Sequence, residues 1–145
     1  MRLGRILAVT AAVFAHVVSG IITGIAVPET IKAGEGFNLI IMTSNFPQSV
    51  YDVSVAVGIA PGSGFPDSLG QVLGSYYLGP EQSNVLYNIT KWVPLPATIP
   101  MGRAKVSAAI TSLLGAAAFP VVNTYNVSIT VGTFTSNNYV SSLWG

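Results

Sequence analysis

The sequence predicts an all-β protein: a single immunoglobulin/fibronectin-like β-sandwich of about seven strands, with no disulfides. Three observations carry that expectation. Several stretches alternate apolar and polar residues with a period of two, the mark of a strand with one buried face. Clusters of glycine, proline, serine and asparagine punctuate these stretches at short intervals. No cysteine occurs among the 145 residues, so the fold has to close on its apolar core, for which about 125 residues suffice. A small open barrel is the alternative arrangement of the same strands.

Residues 1–20 read as a secretory signal peptide. Arg2 and Arg5 form a positive start, Ile6 to Val18 is apolar apart from Thr10 and His16, and Ser19 and Gly20 are small enough for a cleavage site. The apolar run falls short of the roughly 20 residues a membrane span needs. Cleavage after Ser19 or Gly20 removes two basic residues and the sole histidine. What stays is Lys32, Lys91, Arg103 and Lys105 against Glu29, Glu35, Asp52, Asp67 and Glu81, a net charge of −1. Such a balance gives no electrostatic footprint for nucleic acid, and no membrane span remains.

The β-sandwich domain is expected over residues 21–132, taken in order as follows. Ile21–Val27 is the first strand, ended by Pro28. Glu29–Gly36 holds two glycines and most of the local charge and reads as a connection. Phe37–Thr43 is the second strand, and Ser44–Ser49 a loop. Asp52–Ile59 alternates, with Val53, Val55, Val57 and Ile59 on one face and Ser54, Ala56 and Gly58 on the other. Pro61–Gly70 is the longest irregular stretch and a candidate mobile loop. Val72–Leu78 is the fourth strand, stopped by Gly79-Pro80. Asn84–Trp92 is the fifth, with Val85, Tyr87 and Ile89 on one side. Pro94, Pro96 and Pro100 bar regular structure. Gly102–Thr111 is the sixth, with Ala104, Val106, Ala108 and Ile110 inward and Arg103 and Lys105 outward. Ala116–Ala118 reads as a loop. Tyr125–Val131 is the last strand. Residues 133–145 are polar and uncharged and read as a frayed tail, with Trp144 hinting at docking.

Composition also limits the chemistry. Without His or Cys the mature chain cannot assemble a Ser-His-Asp triad, a cysteine nucleophile or a histidine metal site. A glycosidase needs two facing carboxyls, yet Glu29, Glu35, Asp67 and Glu81 all sit beside turn residues and read as solvated loop acids. Asp52 opens a strand, with exposure or an ion pair to Arg103 or Lys105 the expectation. No Asp-x-Asp cluster supports calcium. The expectation is a protein that is not an enzyme, uses no cofactor and acts as a monomer. Two glycosylation sequons, Asn88-Ile89-Thr90 and Asn126-Val127-Ser128, fall on polar faces of their strands. Tyr76, Tyr77, Tyr87, Trp92 and Tyr125 read chiefly as core or cross-strand partners, with one of Tyr76 and Tyr77 exposed; a carbohydrate-binding platform is the rival reading.

The block Leu78-Gly79-Pro80-Glu81-Gln82-Ser83-Asn84-Val85, with Asn88-Ile89-Thr90 after it, resembles the necrosis-inducing secreted effector family of plant-pathogenic fungi. Weaker likeness extends over Gly24–Pro28, Phe37-Asn38, Gln48-Ser49-Val50, Val57–Pro61, Ser112-Leu113, Tyr125-Asn126-Val127 and Val131-Gly132. Arg103-Ala104-Lys105 is more basic than the family pattern. The resemblance implies a secreted effector, present in the host apoplast and host cytoplasm. It also implies suppression of plant pattern-triggered immunity, through binding and inhibiting immune receptor kinases and receptor-like cytoplasmic kinases, and induction of host cell death. It marks no partner-binding residues. The alternative from another class is a secreted carbohydrate-binding module of the cell wall.

Overall fold

Residues 19–143 are described by the structure, a computed structural model. They form nine strands and one short 3-10 turn: β1 (Gly20–Pro28), β2 (Thr30–Lys32), β3 (Gly36–Asn45), β4 (Val50–Pro61), β5 (Gln71–Tyr77), the turn Pro80–Gln82, β6 (Ile89–Pro94), β7 (Gly102–Leu114), β8 (Phe119–Gly132) and β9 (Tyr139–Ser141). A four-stranded sheet in the order β6-β3-β1-β9 packs on a five-stranded sheet in the order β2-β8-β7-β4-β5. All pairings are antiparallel except β2 with β8. The all-β sandwich expected from the alternation is therefore the architecture observed, with nine strands rather than about seven.

The inward faces supply the core. Ile25, Val27, Phe37, Leu39, Ile41, Ile89 and Val93 come from one sheet, and Val55, Val57, Val106, Ala108, Ile110, Val127 and Val131 from the other. Each large side chain so buried contributes roughly 1.5–3 kcal/mol, which stands in for the cross-links the chain lacks. Ala104, Val106, Ala108 and Ile110 are buried while Arg103 is exposed, as the alternation of that strand requires.

Four expectations are corrected. First, the charged Glu29–Gly36 connection contains β2, which pairs in parallel with Thr130–Gly132 of β8 and sinks Ile31 into the core. Three residues are too few for alternation to be read. Second, the tail is not frayed. β9 pairs with Ala26–Pro28 of β1, and Ser142 Oγ accepts the Ile25 N–H at 2.9 Å. Backbone and hydroxyl groups do this docking, so the polar composition concealed it. Trp144 lies outside the described residues, as do residues 1–18 of the expected signal peptide; the expected cut falls at the opening of β1. Third, the strand expected over Asn84–Trp92 begins only at Ile89, because Asn84 takes a left-handed backbone (φ 55°). Fourth, Asp52 is neither exposed nor paired with Arg103 or Lys105.

That last correction has a local cause. The β4–β7 register slips between Asp52 and Ser54. A one-residue bulge reverses which face each side chain takes. Upstream of the bulge Asp52 turns inward, 2% exposed, and Tyr51 turns out. Downstream, Val55 and Val57 resume the inward face, and Val53 at the bulge is only half-buried.

Candidate interaction surfaces

The Leu78–Asn84 block is a strap that closes over this bulge. A bulge leaves backbone groups without ladder partners, and the strap supplies them. Leu78 N–H and Gly79 N–H donate to the carbonyls of Val53 (3.0 Å) and Asp52 (2.8 Å). Ser83 Oγ accepts the Asp52 N–H at 2.8 Å and donates to the Gly79 carbonyl at 2.7 Å. Asn84 Oδ1 accepts the Val50 N–H at 2.8 Å. Lys91 Nζ then donates to Gln82 Oε1 (2.7 Å) and to the Tyr77 carbonyl (3.2 Å), tying the strap to β6. The residues that made this block the most specific part of the sequence therefore serve as architecture. Ser83→Ala leaves the Asp52 N–H unmatched, while the Gly79 carbonyl keeps the Gln82 N–H. The substitution is expected to cost about 1 kcal/mol, read as an earlier urea midpoint with an unchanged slope.

Beneath the strap, Asp52 Oδ1 accepts a 2.6 Å hydrogen bond from Ser112 Oγ on β7. Burial pushes the Asp52 carboxyl above its ordinary value of 3.8, and the Ser112 hydrogen bond pulls it partly back. Tyr125 on β8 is likewise pushed up, mainly by burial and secondarily by the Asp52 charge; its hydroxyl donates across the sandwich to the Ile22 carbonyl at 3.1 Å. Glu29, Glu35, Asp67 and Glu81 are exposed on separate turns. Among the described residues no three acids gather in a way that could hold a metal ion.

The outer face of the five-stranded sheet carries small side chains, among them Ser54, Ala56, Ala109 and Ser107 in adjacent register. The Pro61–Gly70 loop arches over it. Both ends of the loop are pinned: Gly62 N–H donates to the Arg103 carbonyl at 2.8 Å, and Gly70 (φ 75°) lies so close to β4 that a Cβ would stand 2.3 Å from the Ile59 carbonyl oxygen. Between loop and sheet runs a groove of about 690 Å³, lined by Phe65, Asp67, Lys105, Ser107, Thr124 and Asn126 among others. The asparagine of the second sequon thus stands in this groove. Asn88 of the first precedes β6 on an exposed turn rather than within a strand.

The five aromatics singled out by the sequence do not form one platform. Tyr76 and Tyr125 pack against the core. Tyr77 is 64% exposed on the outer face of the five-stranded sheet, where its hydroxyl meets that of Tyr51 at 3.2 Å. Tyr87 reaches back to the Glu81 carbonyl. Trp92 stands on the opposite sheet, paired with Asn38. Tyr51 and Tyr139, not singled out by the sequence, are also exposed. Tyr51 is displayed by the bulge and Tyr139 by a strand the composition hid.

One edge is notable. β5 (Gln71–Tyr77) borders the five-stranded sheet and contains no charged residue and no proline. Charge and proline are two of the devices that blunt an edge; here a bulge opposite Val57-Gly58 interrupts the strand, and Lys91 Nζ takes the Tyr77 carbonyl.

Among known proteins, the chain is 49% identical over 122 residues to necrosis-inducing secreted protein 1 of Colletotrichum higginsianum, covering 83% of this chain and 85% of that one. It is 45% identical over 133 residues to the protein of the same name from Colletotrichum orbiculare, covering 91% and 82%. Among solved structures it is similar to a superoxide reductase (neelaredoxin) from Ignicoccus hospitalis, at 15% identity over 79% of this chain and 80% of that one, with a TM-score of 0.47. The Nis1 family profile matches residues 18–130, which hold β1 to β7, most of β8 and the whole strap; the chain belongs to the Nis1 family.

Proposed function

We propose that the protein is a secreted effector that can induce host cell death. In this reading it suppresses plant pattern-triggered immunity by binding and inhibiting immune receptor kinases and receptor-like cytoplasmic kinases. Two relatives that carry secretion and necrosis induction in their names support the effector part. The kinase part rests on the family resemblance and on one observation: β5 is a sheet-edge strand of seven residues without charge or proline, and it ends at the exposed Tyr77. An extended segment of a partner adds to such an edge by main-chain hydrogen bonds. The protein acts by covering a surface, not by turnover.

The test is co-precipitation of the secreted, processed protein with plant receptor-kinase and receptor-like cytoplasmic kinase domains, together with a phosphotransfer assay. Binding with reduced phosphorylation is expected, and Ser75→Pro on the edge is expected to weaken both by roughly tenfold or more. No binding with unchanged phosphorylation overturns the reading. In the same reading Asn88 and Asn126 carry N-glycans. Glycosidase treatment is expected to lower the apparent mass in two steps, one abolished by Asn88→Gln and the other by Asn126→Gln.

A further inference from the structure

The other face of the sandwich carries a site that the kinase reading does not use. Near one end of the four-stranded sheet, Trp92 of β6 pairs with Asn38 of β3, and Tyr139 of β9 pairs with Pro28 of β1. The β1–β3 ladder ends at Ala26 and Ile40, and two residues further along each strand Pro28 and Asn38 line one groove. Trp92, Asn38, Pro28 and Tyr139 thus form one row across four strands. Three inter-strand steps separate the two aromatic residues by roughly 14 Å. Trp92 is 60% exposed and Tyr139 43% exposed. Between them lies a groove of about 550 Å³, whose polar lining includes Glu35, Asn38, Thr135, Ser136 and Asn137.

The walls of this groove are fixed before any ligand arrives. The indole of Trp92 is seated on Gly36, where a Cβ would stand 2.3 Å from Cζ2. Thr135 Oγ1 donates to Glu35 Oε1 and accepts the Lys32 N–H, both at 3.1 Å. Ser136 N–H donates to the Thr30 carbonyl, and Ser136 Oγ accepts the Asn138 N–H, both at 2.9 Å. Rigid aromatic anchors with fixed polar neighbours bind at low entropic cost.

We propose that this groove binds a neutral, β-linked hexose oligosaccharide. A sugar ring has apolar C–H faces that lie on aromatic rings and a rim of hydroxyls that pair with amides and carboxylates. The groove offers both in alternation: a ring at each end, with amide, hydroxyl and carboxylate groups between. No basic side chain lines it, and its one charge is the Glu35 carboxylate. That balance disfavours phosphate and uronate chains and leaves the uncharged ones. The row is straight because it follows the strand register, which suits an extended β-linked chain.

The experiment is a titration of the processed protein, observed through its indole N–H resonances, with chitohexaose, cellohexaose and laminarihexaose; an oligogalacturonate of equal length is the charged control. Saturable binding to at least one neutral chain is expected, and preference for chitohexaose over cellohexaose, or the reverse, separates a fungal from a plant source. Trp92→Ala and Tyr139→Ala are each expected to weaken it by roughly tenfold, Tyr77→Ala on the opposite sheet to leave it unchanged, and the oligogalacturonate to bind more weakly. Binding to none of the neutral chains, equal binding of the charged control, or full binding by both aromatic variants overturns the proposal. Loss of kinase-domain binding in Trp92→Ala without glycan binding assigns the face to a protein and overturns it too. Failure of Ser75→Pro to affect kinase binding bears on the other face alone.

Discussion

Ser112→Ala is expected to destabilise the protein by about 2–3 kcal/mol at neutral pH, because it strips a buried carboxylate of its hydrogen-bond donor and changes almost nothing else. Asp52 is 2% exposed, and Ser112 Oγ is 2.6 Å from its Oδ1. The side chain lost is one oxygen, so no sizeable cavity is left, and the cost is electrostatic. For a domain of this size the melting temperature falls by roughly 10 °C. The pH dependence identifies the cause. Burial holds the folded Asp52 above 3.8. An acid whose folded value exceeds its unfolded one binds protons more tightly in the native state, so its contribution to stability falls as pH rises from 3.8 through the folded value and then levels off. Removing Ser112 removes the pull downward, so the folded value rises and the window widens. The melting difference between Ser112→Ala and wild type is therefore largest at pH 7 and shrinks on acidification. Asp52→Asn behaves in the opposite sense: it removes the cost of burying a charge, and its gain over wild type vanishes as acid protonates Asp52. Thermal melts of the three proteins across pH 3 to 8 check both signs; a difference independent of pH contradicts the account.

Gly79→Ala is the second large effect, expected at about 2 kcal/mol. The backbone there has φ 75° and ψ −169°, a region that essentially only glycine occupies, and forcing another residue into it costs roughly 1–3 kcal/mol. A Cβ would also stand 2.3 Å from Tyr77 Cζ. The two causes separate experimentally. Tyr77 is exposed and its ring can swing aside, so Tyr77→Ala alone is expected to change the urea midpoint little. The double variant is expected to remain as unstable as Gly79→Ala. Rescue by the second substitution instead locates the penalty in the ring contact, not in the backbone.

The sandwich was legible because alternation survives wherever a strand has one wet face. Gly102–Thr111 and Tyr125–Val131 read correctly, and the structure extends them to Leu114 and back to Phe119. What escaped was whatever departs from period two. The bulge at Asp52–Ser54 reversed the phase and sent an acid inward. β2 and β9 have three residues each, fewer than a pattern needs. The strap was conspicuous in the sequence, yet its role was hidden. Ser83 and Asn84 look like turn residues until the unpaired backbone of Val50 and Asp52 appears beside them. The Trp92–Tyr139 groove was half visible: Trp92 was singled out, but its partner lay in a tail that composition dismissed. No rule of sequence places residues 92 and 139 in one row; only strand order does.

The docking of Ser142 on Ile25, 117 residues apart in the chain, bears on biosynthesis. The β1 edge gains its neighbour β9 only when residues 139–141 have been made, and β2 likewise waits for residues 130–132. Topologies of this kind fold slowly, since distant segments must meet before any reward is felt. A nascent chain built this way cannot complete its four-stranded sheet before residue 142 has been made, and an incompletely folded chain is what a translocation channel accepts as cargo.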